Sequence, residues 1–174
     1  MHTQHGHLQV LTPAEINEVL DRGWHAHLAC RHWRELYLVP LTYVHDGGFL
    51  YCHTLSGKKI KMMRSNPHVC LQVEEVKGVF RWRSIMIWGR FEELKGIEAA
   101  KCMSLLSKRI SELEKESGLS PVEDEISAVL SSAIFYRVRI ETATGRAEGF
   151  ETVTKSEAHV KFDHVAYSGS VAAH

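Results

Sequence analysis

The sequence predicts a mainly β protein: an antiparallel sheet rolled into a small barrel, with flanking helices outside it. Three observations predict this. Residues 24–30, 36–45 and 49–54 are short runs rich in aromatic and branched side chains, separated by turn signals. Asp46-Gly47-Gly48 is a strong hairpin signal between two of them. Helical patterns do not alternate with strands one for one, which argues against a parallel sheet. The 174 residues suffice for one domain with a real core, and 44% apolar with 24% charged residues is ordinary for a globular chain.

Taken in order, residues 1–11 read as a polar N-terminal tail carrying His2, His5 and His7. The domain itself is expected over residues 12–145. Thr12-Pro13-Ala14-Glu15 opens a helix: Thr caps, Pro takes the first helical position and Glu reaches back. Ile16, Val19 and Leu20 give it one apolar face, and Gly23 stops it. Two strands follow, joined by a charged turn at residues 31–35, and the hairpin leads into the third. A helix over residues 58–64 ends before Asn66-Pro67, because proline disfavours helix in the residue preceding it. Residues 69–74 and 82–94 are further strands, with Gly89 marking a bulge or a close approach.

Residues 96–117 form a long helix, since Ile97, Ala100, Met103, Leu105, Leu106, Ile110 and Leu113 recur at helical spacing. That stripe reads as core rather than as a cofactor box. A second helical segment is expected over 121–130, with Pro121 at its start, and a final strand over 133–142. Residues 146–174 are a polar, mixed C-terminal extension.

The stretch from Asp46 to Pro67 carries the most functional information. It joins a turn, a strand and a helix whose first turn holds Lys58 and Lys59, just after Thr54, Ser56 and Gly57. The free N–H groups and dipole of a helix start favour an anion, so this arrangement points to a bound phosphate group. The preceding strand supplies a wall through Tyr51 and His53. Anchor plus wall suits a phosphorylated ring cofactor or a nucleotide. An ordinary solvated, lysine-rich helix start explains the same residues equally well. No GxGxxG strand–helix unit is present for a dinucleotide.

Other constellations are weaker. His25 and His27 alternate along one strand and share a face, so with His32 they could bind a metal or haem; a structural or surface role is the plainer explanation. Trp82 and Trp88 share a face of one strand. Cys52 and Cys70 are expected to face the core. The four cysteines include no CxxC pair, which reads as reduced thiols in a cytoplasmic protein. Lys plus Arg equals Asp plus Glu, 21 each, so there is no global basic field for nucleic acid. No apolar run approaches the ~20 residues of a membrane span, and no signal-peptide core opens the chain.

The segments VPLTYVHDGGFLYCHTLSGKKIKMMRSNPHVCLQVE and WRSIMIWGRFEEL resemble the flavin-binding split-barrel proteins related to pyridoxamine 5′-phosphate oxidase, and most of all their nitroimidazole-resistance-like branch. The resemblance spans residues 12–142 in order and spacing. It implies a six-stranded Greek-key split barrel, a homodimer, and FMN in a groove at the dimer interface. It implies that Lys58 and Lys59 hold the FMN phosphate, and that Thr54 makes a hydroxyl contact near it. His53 would face the ring as the candidate catalytic residue, Arg83 and Ser84 would approach the flavin or its phosphate, and Trp82 would wall the site. The oxidase usually carries glutamine where this chain has Ser84. The oxidase's Arg-x-x-x-Arg-Leu ending is not visible here, which argues against oxidation of vitamin B6 itself. The function implied is an FMN-dependent oxidoreductase acting on a small organic molecule, a nitroimidazole being one possibility. A non-catalytic flavin or haem binder is the alternative.

Overall fold

Six strands close on themselves through one long strand that serves two neighbours. The computed structural model describes residues 8–118, 128, 130–150 and 160–161. In chain order the elements are β1 (Gln9–Val10), α1 (Pro13–Arg22), β2 (His25–His32), β3 (Glu35–Asp46), β4 (Phe49–Thr54), α2 (Lys58–Ser65), β5 (His68–Gly78), β6 (Arg81–Glu93), α3 (Gly96–Glu116), β7 (Ile134–Glu148) and β8 (Val160–Lys161). Neighbours run β7-β4-β3-β2-β5-β6, and β6 pairs back onto β7, antiparallel throughout. This is the mainly β split barrel with flanking helices that the sequence predicts.

Alternation decides what fills the barrel. Leu28 and Cys30, Leu50 and Cys52, Leu71 and Val73, Ile85 and Ile87, and Val138 and Ile140 point inward and are buried. Side chains two apart on a strand share a face, so each strand presents one apolar row to the interior. α1 packs against β3, β5, β6 and β7, burying Ile16, Val19 and Leu20. Its capping box is complete: the Glu15 N–H donates to Thr12 Oγ1 at 3.3 Å, and the Thr12 N–H to Glu15 Oε2 at 2.7 Å. Such a cap contributes roughly 1 kcal/mol. α2 packs against β2 and buries Ile60, Met62 and Met63 in the same core. α3 lies outside the barrel, where Cys102 and Leu106 cover Tyr51 and Leu94 in a second, smaller cluster. Ile97, expected in the apolar stripe of α3, is exposed in its first turn.

The barrel is split between β3 and β4. Their ladder pairs residues 43–46 with 49–52 and then stops. Residues 35–42 of β3 pair with β2 alone, so among the described residues their other edge has no strand partner.

Several boundaries differ from the sequence reading. β7 runs to Glu148 rather than to residue 142, because β6 pairs with it along that whole length and β1 pairs with Arg146 and Ala147. Leu11 is fully buried, so the end of the expected tail belongs to the barrel. Gly145 allows that contact: a Cβ there would lie 2.8 Å from the Leu11 Cβ. Gly89 marks both a bulge and a close approach. The β6–β7 register shifts beside it, and a Cβ would lie 2.5 Å from the Arg139 carbonyl oxygen. Cys52 faces the core, but Cys70 is only half-buried, because it sits on the outer face opposite Trp88. The helical segment expected over 121–130 lies almost wholly outside the described residues, as do His2, His5 and His7.

Candidate functional site

The unpaired edge of β3 and the start of α2 face each other where the barrel is split, linked by the Lys58–Glu35 ion pair, and the candidate cleft is the space between them. The N-cap of α2, Gly57, makes no side-chain capping bond. The first-turn N–H groups therefore get no partner from the cap residue's side chain. Lys58 and Lys59 both lie in this turn but do different things. Lys58 is half-exposed, pairs with Glu35 and stacks over the Tyr37 ring at 5.1 Å. It thus bridges the cleft to β3. Lys59 is half-buried, and among the described residues it has no carboxylate partner. Burial holds its ammonium below the usual lysine range, with Cys52 and Cys30 opposing that shift.

His53, at the end of β4, stands beside this unpaired charge. Its Nδ1 is buried without a hydrogen-bond partner. Burial, and then the Lys59 charge, push the imidazole below its usual range. A half-buried ammonium and an orphaned imidazole nitrogen form an incomplete polar pair. A dianionic ligand with acceptor oxygens would complete it. Thr54 follows on the strand, and its hydroxyl donates to the Leu55 carbonyl at 3.2 Å.

Other expected site residues are placed elsewhere. Tyr51 does not wall the cleft: α3 covers it, leaving 2% exposed, and Lys101 Nζ donates to its hydroxyl at 3.4 Å. Arg83 lies on the inward parity of β6, at the barrel end beside Glu18 of α1 and over the Phe150 ring. It is buried, its Nε donates to Glu75 Oε2 at 2.7 Å, and Glu18 accepts a longer contact of 3.4 Å. Its charge is therefore already neutralised. Ser84 and Trp82, on the opposite parity, do face outward. Ser84 Oγ accepts from Gln72 Nε2 at 3.2 Å, and Trp82 Nε1 donates to Glu148 at 3.0 Å.

That outward face is ordered in rows. The register sets Leu38, Ala29, Cys70 and Trp88 side by side across four strands, and Pro40, His27, Gln72 and Met86 in the next row. Leu38 is 66% exposed and Trp88 46%. Arg31, His68 and Arg90 border these rows on one side, with His25, Glu74 and Ser84 on the other. His25 and His27 share this face, with ring centroids 5.1 Å apart. His32 does not join them. It lies five residues along β2, roughly 17 Å away, on the opposite parity, 2.8 Å from Ser65 Oγ. Among the described residues no three His, Cys, Asp or Glu side chains gather to hold a metal.

The sequence reading missed Glu35, Tyr37, Gln72 and Glu74. A polar residue at an alternate position of an apolar strand, as in Leu71-Gln72-Val73-Glu74, is the signal that could have exposed the last two.

The fold and cleft define a class: a closed, six-stranded antiparallel barrel, split beside a basic helix start. Residues 12–147 match the family described as pyridoxamine 5′-phosphate oxidase, and the chain belongs to that family. An uncharacterized protein of Rhizobium meliloti (strain 1021) is 39% identical over 145 residues, covering 80% of this chain and 95% of that protein. The solved structure of a FAD-binding protein from Mesorhizobium loti is 28% identical, with a TM-score of 0.65, covering 82% of this chain and 99% of that one. A candidate 5-nitroimidazole antibiotic resistance protein of Bacteroides thetaiotaomicron shares the fold at 17% identity and a TM-score of 0.61, covering 84% and 95%. No helix among the described residues is long and apolar enough to cross a membrane.

Proposed function

We propose that this chain is a homodimeric, FMN-dependent oxidoreductase acting on a small organic molecule. The observation that carries the reading is the incomplete pair of Lys59 and His53 at the start of α2. Lys59, the free N–H groups of α2 and, once released from Glu35, Lys58 would hold the flavin phosphate. Thr54 would add a hydroxyl contact. The free edge of β3 offers backbone donors and acceptors to a ring edge, and His53 Nδ1 offers a hydrogen bond to ligand or substrate. When bound, a flavin supplies the electron transfer; the chain binds it, orients it and keeps water from its buried side. Reduction of a nitroimidazole is one reaction this arrangement admits, and the motif succession Gly57-Lys58-Lys59 to Asn66-Pro67 favours that branch.

The outward rows support the dimer. An exposed apolar centre with a polar and charged border has the anatomy of a protein interface. A second copy of the same face, related by a two-fold axis, is the simplest cover.

The test is the absorbance spectrum of the purified protein, followed by chromatography of the cofactor released on denaturation. FMN is expected. Released FAD would keep the flavin reading and correct its identity. Stoichiometric haem without flavin affinity on reconstitution would overturn the reading.

A further inference from the structure

The basic start of α2 comes with a counter-ion from another strand. Glu35, Tyr37, Val39 and Leu41 share one face of β3, because side chains two apart on a strand point the same way. Leu41 is buried, and Tyr37 and Val39 pack against the barrel core. Parity therefore turns Glu35, the first residue of the strand, to the same side, at the end of the row where α2 begins. There its carboxylate accepts from the Lys58 ammonium, which also lies over the Tyr37 ring at 5.1 Å. The hydrogen bond to Glu35, ahead of every other influence, holds that ammonium above the usual lysine range. Both side chains are about half-exposed, so water reaches the pair. Among the described residues no other carboxylate pairs with Lys58 or Lys59, and neither Arg31 nor Arg34 pairs with Glu35.

We infer that Glu35 is a built-in competitor for the anion that the start of α2 binds. With no anion bound it engages Lys58, and an incoming phosphate has to take Lys58 from it. One carboxylate is exchanged for one phosphate on the same ammonium, while Lys59 and the N–H groups of α2 take no part in the exchange. Exposure makes the exchange easy: a half-exposed ion pair is weak enough to open, whereas a buried one would hold the lysine against the ligand. Glu35 thus lowers the affinity of the site without belonging to its anchor, and keeps the bound anion exchangeable. This inference rests on the reading of the helix start as a phosphate anchor.

The experiment is a double-mutant cycle on protein stripped of cofactor, at low ionic strength. The probes are FMN and riboflavin, which lacks the phosphate, both followed by flavin fluorescence. Glu35→Gln keeps the shape of the side chain and removes its charge. It should bind FMN about fivefold more tightly than the parent, the range of an exposed ion pair, and riboflavin within about twofold of it. Lys58→Ala should cancel the gain, so that Glu35→Gln combined with Lys58→Ala binds FMN as Lys58→Ala does. A merely structural role for Glu35 would weaken both probes instead. FMN affinity in Glu35→Gln no higher than the parent's, an equal gain for riboflavin, or a gain that persists without Lys58 would overturn the inference. Inorganic phosphate, read as a rise in the thermal midpoint, separates this result from the flavin reading. A parent that ignores FMN but is stabilised by phosphate, more so in Glu35→Gln and only with Lys58 present, keeps the competitor and rejects the flavin. A parent that responds to neither probe overturns both, as does one that ignores FMN and gains from phosphate no less than Glu35→Gln.

Discussion

Lys59 sits close enough to His53 for its charge to oppose protonation of the imidazole; His53 Nδ1 is buried without a hydrogen-bond partner, and the half-buried Lys59 has no carboxylate partner among the described residues. Two such groups held side by side are costly in an empty cleft and favourable around an anion. The following predictions build outward from this pair.

Lys59→Ala should weaken flavin binding far more than Lys58→Ala. A well-formed charge-assisted contact is worth roughly 1.5–3 kcal/mol, or about ten- to a hundredfold in affinity. Lys58 is exposed and already engaged by Glu35, so its loss should cost only a few-fold. Titration of apoprotein by flavin fluorescence measures both. A larger loss in Lys58→Ala would move the phosphate to the outer lysine.

His53 should make the apoprotein less stable in mild acid. Its folded pKa is lowered, first by burial and then by Lys59. Above the ordinary value of 6.5 the ring is neutral in both folded and unfolded chains and contributes nothing. Below it, the unfolded chain takes up a proton that the folded chain resists, so stability falls until the folded ring also protonates. Urea midpoints from pH 7.5 to 5 should therefore slope less in His53→Gln than in the parent. Parallel slopes would remove the imidazole from the account.

Arg83→Met should cost stability and spare flavin affinity. The change strips Glu75 of its buried partner, a loss of about 1.5–3 kcal/mol for a hydrogen bond to a charged group. Glu75 and Glu18 are partly exposed, so water limits the penalty. A flavin dissociation constant within about threefold of the parent is expected. A tenfold loss would return Arg83 to the binding site.

The double variant Leu38→Asp, Trp88→Asp should be folded and monomeric. Both side chains point outward, so the barrel core is untouched, whereas two carboxylates per copy would face each other across the proposed interface. Light scattering should give a mass near the single-chain 19.8 kDa for the variant and twice that for the parent. A monomeric parent with flavin bound would reject the dimer.

Gly89→Ala should destabilise the fold without touching the cleft. Its Cβ would meet the Arg139 carbonyl oxygen at 2.5 Å and Val138 Cγ1 at 2.7 Å. Backbone at the β6–β7 bulge cannot withdraw cheaply, so roughly 1–3 kcal/mol is expected from thermal or chemical unfolding. An unchanged midpoint would mean that the bulge yields.

The sequence by itself determined the helices α1 to α3, the strands β2 to β7 and their order, because local signals suffice for them. The Thr12–Glu15 capping box, the Asp46-Gly47-Gly48 turn, the 3.6-residue stripe of α3 and the stop before Asn66-Pro67 each act within a few residues. It also placed two lysines at a helix start and, through the succession of motifs, the family. Tertiary structure alone decided which face of each strand is inside. In Arg83-Ser84-Ile85-Met86-Ile87-Trp88 both parities carry apolar residues, so period-two reading separates Arg83 from Ser84 without saying which one meets the core. It alone covered Tyr51, because the helix that does so lies some fifty residues later in the chain. And it alone divided Lys58 from Lys59: neighbours in a helix diverge by about 100° around its axis, and only packing against Glu35 on one side and His53 on the other gives the two positions different work.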